Sequence, residues 1–334
     1  MQYRELGKTG LKVSVVGFGG LPIQRVTFEE GSRVVNKALD LGINFFDTAR
    51  GYTDSEEKLG QALQKRRSEA IIATKSMART KEDMAADIKL SLQTLGIDYI
   101  DLYQLHNVKD KNALEQVFGP GGAVEALLEA RQKGLIKHIG ITGHIQEILK
   151  EALKYDVLES VQFPFNAVEV DDGEELLKLA ESKNVGIIIM KPLAGGALTN
   201  ADLALRFILS YPVSSIIPGM DSEEQVEANA NVVEKQPLTK EEENTLAKEK
   251  GKLGTTFCRR CEYCQPCPQN INIPTVFLLD GYFTRYNLKH WANERYKTLP
   301  VAVEECIDCG ECEEKCPYDL PIREMLKEVG SRLG

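Results

Sequence analysis

Four residues able to move a proton or hold a charge stand where short apolar runs end. Residues 43–46 read Ile-Asn-Phe-Phe and lead into Asp47, and a glycine-containing loop brings a phenol back at Tyr52. The run 70–74 ends in Lys75, and the run 99–105 ends in His106. A tyrosine alone is a poor acid at neutral pH, with an ordinary pKa of about 10. A lysine ammonium beside it favours the phenolate, and an aspartate holds that lysine charged and in place. A histidine nearby can hydrogen-bond a carbonyl oxygen and orient it. Each residue also has a plain structural reading: Asp47 as a turn cap, Lys75 as its salt-bridge partner, His106 as a loop histidine. At matching strand ends, Asp47, Tyr52, Lys75 and His106 together point to a general acid aimed at a carbonyl that receives a hydride.

A second chemistry sits in the tail. All eight cysteines follow position 257. A disulfide framework would spread them through a small secreted chain, whereas two tight runs suggest a metal group. Cys306, Cys309, Cys312 and Cys316, followed by Pro317, form a C-x2-C-x2-C-x3-C-P run, the spacing that ligates [4Fe–4S] clusters. Zinc is the alternative for paired C-x2-C spacings. Cys258, Cys261, Cys264 and Cys267 form a similar run with a shorter last gap. Crossed ligation would give one cluster Cys258, Cys261, Cys264 and Cys316, and the other Cys306, Cys309, Cys312 and Cys267.

The elements that must position these groups alternate. Strand-like runs at 13–17, 43–46, 70–74, 99–105, 138–141, 161–165, 186–190 and 213–217 are separated by amphipathic, helix-like stretches, and an eighth helix is expected at 222–233. Eight such units predict a (β/α)8 TIM barrel over residues 1–235, with chemistry at the carboxyl ends of its strands. The glycines after the first run do not match the dinucleotide fingerprint of a doubly wound sheet. Asp54 and Glu57 have the spacing of a capping box, so a helix is expected to start there. Tyr3 to Leu6 is expected to be half of a hairpin closing the barrel floor. Residues 236–254 read as a charged linker or helix, and residues 255–334 as a small, mainly helical ferredoxin-like iron–sulfur domain.

Composition narrows the function classes. The 334 residues are 43% hydrophobic and 27% charged, with a net charge of −9. That balance suits a globular protein and argues against nucleic acid or an anionic membrane surface as partner. No apolar run has the length of a membrane span, and the N-terminus lacks a signal-peptide core, so a cytoplasmic location is expected.

The segments Phe46-Asp47-Thr48-Ala49-Arg50-Gly51-Tyr52, Ala73-Thr74-Lys75 and Leu102-Tyr103-Gln104-Leu105-His106 resemble the signatures of the aldo/keto reductases. The resemblance implies that Asp47, Tyr52, Lys75 and His106 are the catalytic set, with Tyr52 as proton donor and a nicotinamide cofactor, NADP or NAD, across the barrel mouth. It implies that Thr142 and Gln162 touch the carboxamide, that Asp47 also faces the cofactor, and that Gly19 and Gly20 admit it close to the backbone. Pro192, Leu193 and Gly195 would line the pyrophosphate, and Gly219, Gln225 and Asn229 would face the adenosine end. The chain departs from the family pattern in three places. Gly143 stands where an asparagine is frequent, Met190 where an aromatic stacks, and Gly219 and Gln225 where a lysine and an arginine hold the NADP phosphate. The cysteine tail resembles that of a subgroup with a C-terminal 4Fe-4S ferredoxin-type domain, here with two clusters expected.

The resulting expectation is an oxidoreductase moving hydride between NAD(P)H and a small carbonyl or alcohol, with a redox partner protein for the clusters. Hydride carries two electrons together, whereas each cluster takes one, and no flavin motif is readable, so direct wiring between the two is not expected. The alternatives are an electron-transfer or nucleotide-sensing protein, or clusters that are purely structural.

Overall fold

The computed structural model describes residues 1–253, 258, 264–316 and 319–334; Cys261 and Pro317 of the cysteine runs lie outside the described residues. The chain divides into two units, Met1–Ala194 with Asn200–Glu242, and Gly195–Thr199 with Glu243–Gly334.

The first unit is a (β/α)8 barrel. Strands β1 (Tyr3–Glu5) and β2 (Lys12–Ser14) pair antiparallel as a hairpin. Eight parallel strands follow: β3 (Phe18–Gly19), β4 (Phe45–Asp47), β5 (Ile71–Ser76), β6 (Ile100–Leu105), β7 (Ile136–Thr142), β8 (Ser160–Pro164), β9 (Gly186–Met190) and β10 (Ser215–Ile216). Each pairs with the next. The ring closes because Gly17 N donates to Ile216 O (2.7 Å), Ile216 N to Val15 O (2.9 Å) and Gly19 N to Pro218 O (2.9 Å). At this seam a Cβ on Gly19 would lie 2.8 Å from the carbonyl oxygens of Ile217 and Pro218, so a side chain there would hold the seam open.

Helices α1 (Phe28–Asp40), α2 (Ser55–Leu63), α3 (Lys81–Leu95), α4 (Lys111–Phe118), α5 (Ala123–Gln132), α6 (Gln146–Ala152), α7 (Asp171–Ser182), α8 (Ala201–Leu209) and α9 (Glu223–Ala230) follow the barrel strands. Local chemistry explains several of their starts. Thr27 and Glu30 form a reciprocal capping box for α1, and the Asp110 and Asn200 side chains accept from Ala113 N and Leu203 N. Helix α3 ends on Gly96 at φ 65°, a left-handed cap.

The strands bury side chains on both faces. Outward-facing Phe46, Ile72, Tyr103, Ile139, Val161 and Phe163 belong to the large core shared with the helices. Inward-facing Phe45, Ala73, Leu102 and Ile188 pack with Leu6 and Val13 of the hairpin region. The hairpin is tied to the amino ends of the strands: Lys8 N donates to Asn184 O, and Asn44 Nδ2 to Lys12 O. It therefore plugs the floor, as the sequence suggests. Truncating one such buried ring, Phe46→Ala, would cost about 3–5 kcal/mol.

Two local expectations change. The first barrel strand is β3, because residues 12–14 pair with β1. Asp54 does sit at the start of α2, but its carboxylate makes no capping bond and instead pairs with Lys58 at 2.8 Å. The buried Lys58 ammonium also donates to Ile23 O and Val26 O, so a charged partner draws Asp54 away from the helix backbone. The stretch expected as a linker or helix forms helix α10 (Lys240–Leu253), and the boundary between units falls within it.

The second unit contains α11 (Ile273–Thr284), α12 (Lys289–Tyr296), α13 (Glu311–Glu314) and α14 (Ile322–Leu333), with no strand among its described residues. Asn272 caps α11, and Pro274 sits in its first turn, where a missing N–H costs nothing. Val276, Phe277, Leu279, Leu326, Val329 and Leu333 form a core that also takes in Cys264, Cys312 and Cys316. No helix among the described residues is long and apolar enough to cross a membrane.

Candidate active site

Strand parity builds the barrel mouth. Phe45, Ala73 and Leu102 point inward, so Asp47, Lys75 and Gln104, two residues further on, point inward one layer higher. Ile188 places Met190 in the same way. Parallel register sets Lys75 beside Gln104, Gln104 beside Gly140, and Thr142 beside Gln162. The result is a polar layer above an apolar plug, at the carboxyl ends of the strands.

Within it Lys75 Nζ donates to Asp47 Oδ2 at 2.6 Å and to Thr48 O at 2.8 Å, and both side chains are fully buried. Burial pushes the Asp47 carboxyl up and pulls the Lys75 ammonium down from their ordinary ranges; each opposes the other's shift by its charge. The Lys75 ammonium lies 5.1 Å from the centroid of the half-buried Tyr52 ring. The His106 ring stands edge-on to Tyr52, with centroids 6.1 Å apart. Desolvation, then the positive charges of Lys75, Arg79 and Lys191, hold His106 well below the ordinary imidazole range. The ring is therefore neutral at physiological pH. The structure thus brings Asp47, Tyr52, Lys75 and His106 together.

The expected cofactor residues divide by place. Gln162 lies in the same inner layer; its Oε1 accepts from Gln104 Nε2 at 3.0 Å, and its own amide reaches Met190 Sδ at 3.8 Å. Thr142 Oγ1 accepts from Asn107 N at 2.9 Å. A Cβ on Gly20 would meet Asp47 O at 2.8 Å, so this glycine, like Gly19, already has a packing reason. Gly219 bridges Gly19 at the seam, and Gln225 Oε1 accepts from Asp221 N. Asn229 is buried on α9. Pro192 and Leu193 belong to the barrel unit and follow β9 directly. Gly195 falls in the second unit, where its carbonyl accepts from Arg285 Nε at 2.9 Å.

Two polar atoms of the mouth, Gln104 Oε1 and His106 Nδ1, are buried and find no hydrogen-bond partner among the described residues. Buried polar atoms normally find partners, so these suit a polar ligand group. The mouth accordingly fits the amide-bearing ring of a nicotinamide cofactor. Sequence reading missed Gln104, whose inward parity follows from Leu102. It also missed Arg79, which donates to the carbonyls of His106 and Asn107 at 2.8 Å, and Asn107, whose side chain meets His144 Nδ1 at 3.0 Å. Loop residues of this kind carry no periodic signal.

In the second unit a small cavity is lined by Cys267, Cys306, Cys309 and Cys312, with Ile271 and Ile273. These are the four cysteines that crossed ligation assigns to one cluster. Positive φ at Asp308 (54°) and Gly310 (83°) curls the segment carrying three of them. Cys258, Cys264 and Cys316 of the other set pack in or against one core, and their fourth member, Cys261, lies outside the described residues. Among the described residues no three His, Cys, Asp or Glu side chains converge on a single-ion site. Four cysteines lining one cavity are the donor set that would hold an iron–sulfur cluster.

Comparison with known proteins agrees with both halves. The model of the aldo/keto reductase family matches residues 15–202, and that of a 4Fe-4S dicluster domain matches residues 257–321. The chain is 34% identical to L-galactose dehydrogenase of Arabidopsis thaliana, covering 70% of this chain and 88% of that protein. It is 28% identical to the uncharacterized oxidoreductase YqkF of Bacillus subtilis, covering 74% and 95%. Among solved structures, the holo form of aldo-keto reductase AKR11C1 from Bacillus halodurans superposes with a TM-score of 0.64 at 29% identity, covering 75% of this chain and 96% of that one.

Proposed function

The chain belongs to the aldo/keto reductase family and carries a 4Fe-4S dicluster domain, and from that premise we propose that Tyr52 is the proton donor of an NAD(P)H-dependent carbonyl reduction. The observation that carries this reading is the buried Lys75–Asp47 pair beneath the Tyr52 ring. The nicotinamide supplies the hydride that adds to the carbonyl carbon. The protein's part is the other end of the bond. Negative charge growing on the carbonyl oxygen is met by the Tyr52 hydroxyl, which gives its proton to that oxygen. The Lys75 ammonium stabilises the phenolate left behind, and Asp47 keeps the ammonium in place in a site where burial disfavours its charge. Neutral His106 donates a hydrogen bond to orient the carbonyl and does not compete as an acid.

Asp47, Thr142, Gln162 and Met190 would hold the nicotinamide. Gly19 and Gly20 would admit the cofactor close to the backbone, Pro192 and Leu193 would line the pyrophosphate, and Gly219, Gln225 and Asn229 would face the adenosine. Gly219 and Gln225 bring no positive charge to a 2′-phosphate, which leaves the site suited to NAD as well as NADP. The substrate is a small carbonyl compound or the matching alcohol.

The cysteine unit takes two clusters in this reading, one on Cys267, Cys306, Cys309 and Cys312, the other on Cys258, Cys261, Cys264 and Cys316. They exchange single electrons with a redox partner protein and are not reduced by nicotinamide alone. Thiolates kept for metal fit a reducing compartment, the cytoplasm.

The test is Tyr52→Phe in the cluster-loaded full chain, assayed with NADH and NADPH against a panel of small aldehydes. Turnover should fall by about 10²–10⁴ while nucleotide binding is kept. Retained turnover would remove Tyr52 as the proton donor.

A further inference from the structure

Behind the catalytic set lies a fully buried carboxylate that the reaction described above does not use. Glu56, in the first turn of α2, is 1% exposed. Its Oε1 accepts from Thr74 Oγ1 at 2.7 Å, and its Oε2 pairs with the Arg50 guanidinium. Those two partners belong to the two segments whose mutual placement the proton transfer needs. Thr74 is the residue before Lys75 on β5; strand parity turns its side chain outward under α2 as Lys75 turns inward. Arg50 lies in the loop between Asp47 and Tyr52, and its backbone N donates to Lys75 O at 3.0 Å. The same loop is tied at its far side by Thr53 Oγ1, which donates to Gln24 Oε1 at 2.7 Å. Tyr52 itself lies in a tight turn, with its N donating to Ala49 O and its O accepting from Ser55 N.

We propose that Glu56 is a positioning residue that clamps the Tyr52 loop to the Lys75 strand, fixing the phenol over the ammonium. This rests on the reading of Tyr52 and Lys75 as the proton-transfer pair. Burying a carboxylate is costly unless it is paired and hydrogen-bonded, so a carboxylate kept here must be held by both partners at once. An alkyl side chain would fill the same space but leave Arg50 without its charge partner.

The clamp also has an electrostatic consequence. Lys75 is faced by Asp47 from β4 and by Glu56 from α2, and both favour its charged form against burial. The Tyr103 phenol on β6 faces the charges of Glu56, Asp87 on α3 and Arg50 in the loop. Neutral His106 at the end of β6, with Arg79 and Lys191, completes the surroundings of the mouth. Losing the Glu56 charge removes one of the two carboxylates that hold the ammonium charged.

The experiment compares Glu56→Gln, Thr74→Val and Tyr52→Phe in the cluster-loaded full chain, each checked for thermal stability. For Glu56→Gln, kcat should fall about tenfold or more with KM and nucleotide binding unchanged, because misplacement acts on the chemical step. The basic limb of its pH–kcat profile should move to lower pH. Thr74→Val keeps the charge and should lower kcat less, without moving that limb. Wild-type kcat and pH limb in Glu56→Gln, with Tyr52→Phe inactive, would overturn the positioning role alone. So would a Glu56→Gln loss that only tracks the folded fraction. An active Tyr52→Phe would overturn the reading beneath it as well.

Discussion

The barrel mouth and the cysteine unit place their reactive groups by different means. In the mouth, Asp47, Lys75, Gln104 and Gln162 come from four strands, and only register and parity bring them into one layer. They largely satisfy one another through buried hydrogen bonds. In the cysteine unit, Cys306, Cys309 and Cys312 come from a single short segment placed by local curl and spacing, and only Cys267 is brought to them from a distant part of the chain. Burial pushes the Cys312 thiol up to about 11, and the charge of a bound metal group would favour its thiolate. One site is assembled by folding; the other needs its inorganic group to be complete.

The largest effect that would break this contrast lies in the barrel. Lys75→Met leaves Asp47 buried without its cation, which should destabilise the barrel by about 3–5 kcal/mol in urea unfolding, besides abolishing carbonyl reduction. Unchanged stability would mean that the pair is not what organises the mouth. Next comes Cys309→Ser, at the exposed cysteine of its set. Iron content should fall by about half, with aldehyde turnover unchanged. Equal loss of both would show that the two regions are not independent.

The smallest effect concerns pH. The His106 imidazole is held low in the folded chain, so below the unfolded value of about 6.5 the unfolded chain binds a proton that the folded one refuses. The stability tied to this neutral ring is present above about pH 6.5 and is lost as pH falls toward the depressed value. His106→Gln should therefore lose less stability than the wild type between about pH 7.5 and about pH 5.5, by at most about 1.4 kcal/mol per pH unit. An unchanged pH dependence of melting would show that the ring is not held neutral.

How much of this was legible in the sequence follows the same division. Seven of the eight barrel strands are visible as apolar runs because both of their faces are buried, and the catalytic candidates stand at the ends of those runs. The cysteine ligands were legible because their spacing is local. The run 13–17 misplaces the first strand because Val13 and Ser14 pair with β1, and no periodicity separates a floor hairpin from a barrel strand. Asp54 reads as a cap because Glu57 stands three residues on, but Lys58 is four residues on and nothing in the spacing says which partner wins. Gln104 was hidden inside an apolar strand, its role set by a bond to Gln162 across Gly140. A Cβ at that glycine would lie 3.1 Å from Gln104 Cγ, and the absence of one leaves the bond room. Arg79 and Asn107 lie in loops whose paths depend on tertiary contacts alone.

The contrast proposed between a barrel that moves electrons in pairs and a cysteine unit that moves them singly has one direct test. Iron and sulfide are quantified anaerobically in the full chain, and EPR spectra are recorded before and after adding NADH or NADPH without any other protein. The account predicts iron and sulfide in cluster proportions and no reduced-cluster signal with nucleotide alone, the signal appearing only with a one-electron donor. A cluster signal raised by nucleotide alone would contradict it.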